Sequence, residues 1–360
     1  SFLKDVFIYP VINSSTYYID DFPEPIPEGN DPEFKNEYNM DNRSFFQKVW
    51  WPEMYDLAEN FGLHYTGMMI ETYNDHTSGP FEQQFNNSDD FRYMGGFLLK
   101  SGGQLGFHGF NHIPLCLESE GANQVEGYPS WPSTDEMGAS VNELNSFAHL
   151  LFPGREFTVY VPPSNVLCPT MRSELPKLLP ELKGIGSVYL PDTDTNTSYV
   201  QEFTEAPDGI VEMPRISAGY WIGEYTRWAI INELSLHYVN SHFVHPDDVL
   251  DGMRSAGKSW KELRNEFEQF VQWIINSTPG LRQMTAEDGL KAVQRYSRLQ
   301  VNTIQNQNQT IVQLGNFYDE AWLMLRSSSE PKSIEGGTYV KVTSTLYLIH
   351  AEDPEIKLDF

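Results

Sequence analysis

Short apolar runs alternate with longer stretches whose apolar residues recur every three to four positions, and this alternation fills most of the chain. The run at 6–9 reads as a short strand, and the β-rich run at 15–19 leads straight into Asp20-Asp21. Positions 23–32, rich in Pro, Glu and Gly, read as a loop. Helical spacing over 45–61 predicts a helix that Gly62 stops, and 63–70 follows as a buried strand. A helix at 89–100, ended by Gly102-Gly103, precedes a short strand at 105–107 that ends at His108. Further on, helix 134–152 has Thr134 as its expected N-cap, and strand 157–161 ends at Pro162-Pro163. Helix 171–182 is interrupted by Pro176 and Pro180. Strands at 186–190 and 236–244 and helices at 259–275 and 286–299 complete the alternation. Such a pattern predicts an α/β architecture with a parallel sheet or barrel, whose sites gather at the C-terminal ends of the strands.

Beyond about position 300 the periodicity changes. Positions 301–314 are Gln/Asn-rich with alternating apolar residues, and 321–325, 338–342 and 345–349 read as strands between Ser/Pro/Gly turns. A small antiparallel β appendage is expected there, and there is no internal repeat of the solenoid kind.

Composition narrows the function. Hydrophobic residues make up 40% and aromatics 14% of 360 residues, enough for a packed core. The formal net charge of −26 argues against a nucleic-acid partner, because phosphate binding needs basic clusters. It would suit a cationic partner or only serve solubility. No apolar run reaches the roughly 18 residues of a membrane span. Cys116 and Cys168 are the only cysteines, and their separation does not decide whether they bridge. The chain starts at Ser1 without a Met or a signal peptide, so it is read as a piece of a longer protein.

Three motifs carry chemistry. In His108-Gly109-Phe110-Asn111-His112 two imidazoles four apart reach one ion if the segment begins a helix. In Tyr18-Ile19-Asp20-Asp21-Phe22-Pro23 adjacent carboxylates at a strand end point in different directions, so one can hold a metal while the other addresses water. In Ser241-His242-Phe243-Val244-His245-Pro246-Asp247-Asp248 a His at a strand end, beside acidic residues that raise its pKa, suits a general acid. Alternation puts His242 and His245 on opposite faces, and His245 is favoured as the last residue of the strand. His64, His149 and His237 read as ordinary core or surface residues, His76 as a loop residue, and His350 as part of the appendage. Trp221 is a candidate sugar-stacking wall, while Trp50-Trp51 reads as helix packing.

Together, in this order, the three motifs resemble the polysaccharide deacetylases of carbohydrate esterase family four, the NodB-homology enzymes, over roughly residues 5–280. The wording of the motifs is closer to deacetylase domains of biofilm exopolysaccharide systems of the Pel type. The resemblance implies Asp21, His108 and His112 as ligands of a divalent metal, usually zinc (Zn2+), with Co2+ or Ni2+ also compatible. It implies Asp20 as catalytic base and His245 as catalytic acid. The family's third motif falls at Val161-Pro162-Pro163-Ser164, where its arginine and its aromatic are both absent. Ser164 then inherits an oxyanion-binding role through its backbone N–H, and Arg215 is a candidate substitute for the missing arginine.

Pattern and resemblance combine into one expectation: an α/β fold, a distorted (β/α)7-type barrel over 1–299 with a small C-terminal antiparallel β appendage over 300–360. The expected activity is metal-dependent removal of N-acetyl groups from an amino-sugar polysaccharide, outside the cell or at its surface. Two other readings stay open. One is a glycoside hydrolase using two carboxylates such as Asp20 and Glu71. The other is a carbohydrate-binding relic without activity.

Overall fold

The structure, a computed structural model, describes residues 6–23, 29–82, 88–191, 194–306 and 308–360. Strands are numbered in chain order. The first, β1 (Val6–Val11), pairs with a C-terminal strand described below. The main sheet is built from β2 (Ser14–Phe22), β3 (Tyr65–Ile70), β4 (Gln104–Gly109), β5 (Val159–Tyr160), β6 (Gly184–Ile185), β7 (Thr204–Glu205), β8 (Val211–Glu212), β9 (Ser217–Ala218) and β10 (Val239–Val244). Its order is β7-β8-β6-β5-β4-β3-β2-β10-β9, and every pair is parallel except β7 with β8.

The sheet is closed by one segment. Residues 211–218 pair with β6 at their start, where Met213 N donates to Ile185 O at 3.0 Å. They pair with β10 at their end, where Ile216 N donates to Ser241 O at 2.8 Å. Segment 211–218 thus joins β6 to β10, pairing on the β6 side as far as Arg215, whose N donates to Ser187 O at 2.8 Å, while β7 lies outside β8. Counting 211–218 once, the ring runs β2-β3-β4-β5-β6-(211–218)-β10. That is a seven-strand barrel, as expected. Strands β2, β3 and β10 are buried along their whole length, which fits apolar runs covered on both faces.

Helices wrap the outside, and one closes an end. Helix Ala286–Arg298 docks its first turn on the starts of β3 and β4: Ala286 N donates to Thr66 Oγ1 at 2.9 Å and Glu287 N to Gln104 Oε1 at 3.0 Å. Its Leu290 lies against Gly184, where an added Cβ would sit 2.3 Å from Leu290 Cδ2. The mouth at the other end, where strands finish, is left for the site.

Several expectations need correction. The helix expected from Thr134 is capped by Ser133, whose Oγ accepts from Glu136 N at 3.2 Å. The strand expected at 236–244 begins at Val239, because Glu224–Leu236 is a helix that His237 ends. The strand expected at 186–190 shrinks to Gly184–Ile185, after which Val188 makes only isolated bridges. Of the loop expected at 23–32, positions 24–28 lie outside the described residues, and Pro32 already begins helix Pro32–Tyr38. The helix expected at 45–61 forms continuously from Asn42 to Phe61, buries Trp50 and Trp51, and stops at Gly62 with φ 65°.

The C-terminal part contains β11 (Gln300–Gln305), β12 (Gln309–Gly315), β13 (Ala321–Ser327), β14 (Ser333–Glu335), β15 (Gly337–Lys341), β16 (Leu346–Ala351) and β17 (Glu355–Asp359). They form two antiparallel four-stranded sheets, β1-β13-β16-β15 and β11-β12-β17-β14. Val312, Leu323, Ile349 and Leu358 share the core between them. Cys116 and Cys168 form a disulfide. Among the described residues no helix is long and apolar enough to cross a membrane.

Candidate metal centre and active site

The site is built where the barrel's ladders slip. Pairing of β2 with β3 shifts between Ile19 and Phe22, so Asp20 and Asp21 form an irregularity at the strand end. Asp21 takes a left-handed φ of 57°. Consecutive strand residues normally face opposite ways; the slip and the positive φ let both carboxylates face the mouth. On β4, Met69 pairs with Phe107 and Ile70 with Gly109, which leaves His108 as the extra residue. The expected helix at 108–112 does not form. Gly109 with φ 155° and His112 with φ 55° turn the chain back instead, and His112 meets His108 from a bend. A β-branched residue at either position would be strained.

His108 Nε2 lies 3.4 Å and His112 Nε2 3.5 Å from Asp21 Oδ1. The three ligand atoms all fall within 4.8 Å of one another. His108 Nδ1 donates to the Val161 carbonyl at 2.7 Å. A carbonyl only accepts, so the ring hydrogen is on Nδ1 and Nε2 offers a lone pair. Burial lowers the His112 pKa to about 4, so this ring is neutral at pH 7. Burial also works against the Asp21 carboxylate, but the neighbouring imidazoles of His112, His108 and His245 outweigh it and hold its pKa down. The His108 lone pair, Nε2 of the neutral His112 ring and one carboxylate oxygen therefore converge. A charge-assisted N–H···O bond would close to about 2.8 Å. Two donors each about 2.1 Å from a tetrahedral ion stand about 3.4 Å apart. The donor set and spacing fit a divalent cation of the zinc kind.

Asp20 is 1% exposed and Arg215 1%. Arg215 Nη1 donates to Asp20 Oδ2, its Nη2 donates to Asn165 Oδ1, and its Nε donates to Ser187 O at 3.3 Å. The guanidinium also lies over the Phe243 ring, 3.9 Å from its centroid. The other carboxylate oxygen, Asp20 Oδ1, has no hydrogen-bond partner among the described residues.

His245 follows β10. Its Nε2 is 4.0 Å from Asp20 Oδ2, and its Nδ1 is 3.2 Å from Asp248 Oδ1. Burial alone would lower its pKa; the carboxylates of Asp248, Asp21 and Asp20 reverse this and raise it to about 9. Arg254 Nη1 holds Asp248 at 2.9 Å. His242 faces the other way, against Phe267 and Phe270, and bonds Ser217 Oγ and the Gly219 carbonyl, each at 2.8 Å.

Ser164 sits in the turn Pro163–Asn165 with φ 51°. Its Oγ is 2.9 Å from the Tyr128 hydroxyl, which in turn is 3.3 Å from His112 Nδ1. The structure thus gathers Asp20, Asp21, His108, His112, Arg215 and His245 at one barrel mouth, with Ser164 reached through Tyr128. Trp221 is 40% exposed on the His245 side, its indole N–H donating to Arg254 O at 3.3 Å. Tyr73, half-exposed, stacks parallel to the His112 ring at 6.0 Å. Tyr128, Tyr73 and Asn165 escaped the sequence reading, since loop residues outside any motif carry no periodicity. Of the remaining histidines, four have local ring partners: His64 with Ser101 O at 3.2 Å, His149 with Asn145 O at 2.9 Å, His237 with Glu233 at 2.7 Å and His350 with Glu320 at 3.0 Å.

No curated protein sequence matches the chain. Among solved structures, a Mycobacterium smegmatis protein assigned as a polysaccharide deacetylase aligns with a TM-score of 0.45 and 11% identity, over 78% of this chain and 89% of its own. A Bacillus anthracis pseudoenzyme of carbohydrate esterase family four aligns with a TM-score of 0.41 and 9% identity, over 78% of this chain and 66% of its own. The peptidoglycan deacetylase PdaC of Bacillus subtilis aligns with a TM-score of 0.35 and 11% identity, over 78% and 90%. The family model for uncharacterised proteins conserved in bacteria, DUF2194, matches residues 1–348, and the chain belongs to that family.

Proposed function

We propose that this chain is a metal-dependent N-deacetylase acting on an amino-sugar polysaccharide. The observation that carries the reading is the pairing, at one mouth, of a two-imidazole, one-carboxylate cation site with a separately held carboxylate and an imidazole set between carboxylates. Asp21, His108 and His112 would hold the ion, which when bound would supply Lewis-acid polarisation of an acetamide carbonyl. Asp20, anchored by Arg215 through one oxygen, keeps Oδ1 free to take the proton of the attacking water. The backbone N–H of Ser164 would meet the developing oxyanion, the role the family resemblance implies for it. His245, whose raised pKa keeps it protonated at neutral pH, gives its proton to the departing amine. Trp221 and Tyr73 flank the centre as half-exposed rings suited to the apolar faces of sugars. The Cys116–Cys168 bridge favours an oxidising compartment, in keeping with an exopolysaccharide substrate outside the cytoplasm.

The test couples metal analysis to acetate release from acetylated hexosamine oligomers. Wild type binds about one divalent ion per chain and releases acetate. Asp20→Asn keeps the ion and loses turnover by a factor on the order of 10³, because it removes the base and spares the ligands. His108→Ala loses both. Full acetate release by Asp20→Asn, or by the chelated wild type, would sink the assignment. Chelator-resistant glycan chain cleavage would point instead to a two-carboxylate hydrolase.

A further inference from the structure

The loop after His112 is pinned over the centre. The Cys116–Cys168 bridge ties it to the segment that follows Ser164. Asn123 Nδ2 donates to the carbonyls of Pro114 and Pro129 at 3.0 and 2.9 Å, and Tyr128 N donates to Asn123 O at 2.8 Å. This scaffold holds the Tyr128 hydroxyl between His112 Nδ1, at 3.3 Å, and Ser164 Oγ, at 2.9 Å.

From this geometry we infer that Tyr128 is a positioning residue of the metal centre, one that accepts from His112 in its metal-binding tautomer and in doing so turns the Ser164 hydroxyl outward as a donor. The inference rests on the metal-centre part of the reading above. The two imidazoles are held differently. His108 donates to a backbone carbonyl, an acceptor only, so the neutral ring has its lone pair on Nε2. His112 faces a hydroxyl, which can donate or accept.

Hydrogen counting then gives two arrangements. In one, His112 carries its hydrogen on Nε2, toward Asp21. Tyr128 donates to Nδ1, and Ser164 donates to Tyr128. In the other, a cation occupies the Nε2 lone pair and the ring hydrogen is on Nδ1. His112 then donates to Tyr128, Tyr128 donates to Ser164, and the Ser164 hydrogen is released from the chain. Both arrangements hold three hydrogens, so the reversal needs no net proton uptake or loss. Only the second leaves a free O–H at Ser164, beside the backbone N–H proposed to meet the oxyanion. Taking up the metal and arming Ser164 are thus one event, transmitted by a phenol.

The experiment uses the full chain, with zinc and cobalt as probes. Chelator competition measures zinc affinity, and the cobalt absorption spectrum reports the ligand field. Tyr128→Phe keeps the ring and removes the hydroxyl. It should weaken zinc binding about 10- to 100-fold, the usual loss when an outer partner of a ligand histidine is removed, with the metal-free melting temperature unchanged. Ser164→Ala should change zinc affinity less than about threefold, because Tyr128 still accepts from Nδ1. Long-range proton–nitrogen NMR of zinc-loaded wild type should show His112 protonated at Nδ1. That measurement stands even if a variant folds poorly. Wild-type affinity in Tyr128→Phe, or an unprotonated His112 Nδ1 in the loaded wild type, overturns the inference, as does a wild type that takes up no zinc. None of these readouts involves acetate. A chain that passes them and cleaves no acetylated glycan supports this role while sinking the deacetylase reading.

Discussion

Arg215 is the most buried cation at the barrel mouth, and what it touches explains why a distant residue matters there. Its guanidinium is spent on Asp20, Asn165, the Ser187 carbonyl and the face of Phe243. Removing one member of such a pair leaves the other charge buried without a partner. Arg215→Met should therefore destabilise the chain by about 3–5 kcal/mol in urea titration, while Asp20→Asn, which still accepts a hydrogen bond, costs less. Equal costs for the two would contradict the pairing. His245 makes a second residue-scale prediction. Its folded pKa of about 9 stands above the unfolded value of about 6.5. The linked stability is therefore fully present below about pH 6.5 and is lost as pH rises through about 9. Metal-free protein should lose on the order of 2–3 kcal/mol between those limits. His245→Gln should flatten that slope, and a wild type equally stable at pH 6 and pH 10 would contradict the assignment. Asp20, Asp21, His108, His112 and His245 were legible as candidates because they stand in short motifs with fixed spacing. Arg215 was legible only as a guess, and Tyr128 not at all, because burial against Asp20 or His112 is a property of the closed barrel and of no local window.

At the scale of elements, the site depends on departures from regularity. Asp20, Asp21 and His108 sit where the ladder slips, and His112 and Ser164 take positive φ. Strand and helix periods show where elements lie, so the long helices and the buried runs of β2, β3 and β10 could be read off the chain. A slip of one residue leaves no trace in such a period, which is why the two histidines were expected on a helix and are held by a bulge and a bend. The segment 211–218 that joins β6 to β10 was missed for a similar reason. Each of its strands is two residues long, too short to show alternation, and Pro214 between them reads as a turn. The opposite end of the barrel is regular and tightly filled, and that makes a prediction. A Cβ at Gly184 would meet Leu290 Cδ2 at 2.3 Å and the Val211 carbonyl oxygen at 2.8 Å. Leucine can shift, but the carbonyl belongs to the neighbouring strand. Gly184→Ala should cost about 1–3 kcal/mol of stability in thermal or urea unfolding. Because this contact lies at the far end from the metal ligands, zinc affinity should stay near wild type. A large loss of affinity with unchanged stability would show that the two ends of the barrel are coupled differently.

Across the whole molecule, the first strand of the chain belongs to a sheet made by its last third. β1 pairs with β13 over six residue pairs, from Val6 with Ser327 to Val11 with Trp322. The contact continues into the barrel's outer layer. Val11, Tyr238, Met324 and Leu348 form one apolar cluster. Arg282 Nη1 reaches Glu320 at 2.7 Å, and Arg295 pairs with Asp319 at 2.5 Å. β2 follows β1 after only two residues, so the strand that carries Asp20 and Asp21 is anchored through β1 to the C-terminal sheets. Loss of those sheets would strip β1 of its ladder partners and expose the apolar residues beneath it, a liability for any unpaired strand edge. The intact chain should accordingly melt in one cooperative transition, with calorimetric and van't Hoff enthalpies in agreement. A chain ending at residue 299 should melt at a markedly lower temperature or aggregate, and should bind zinc more weakly because β2 loses its anchor. If instead the truncated chain melts and binds zinc like the parent, or the parent shows two separate transitions, barrel and β sheets are independent units. The ion site would then owe nothing to the C-terminal third.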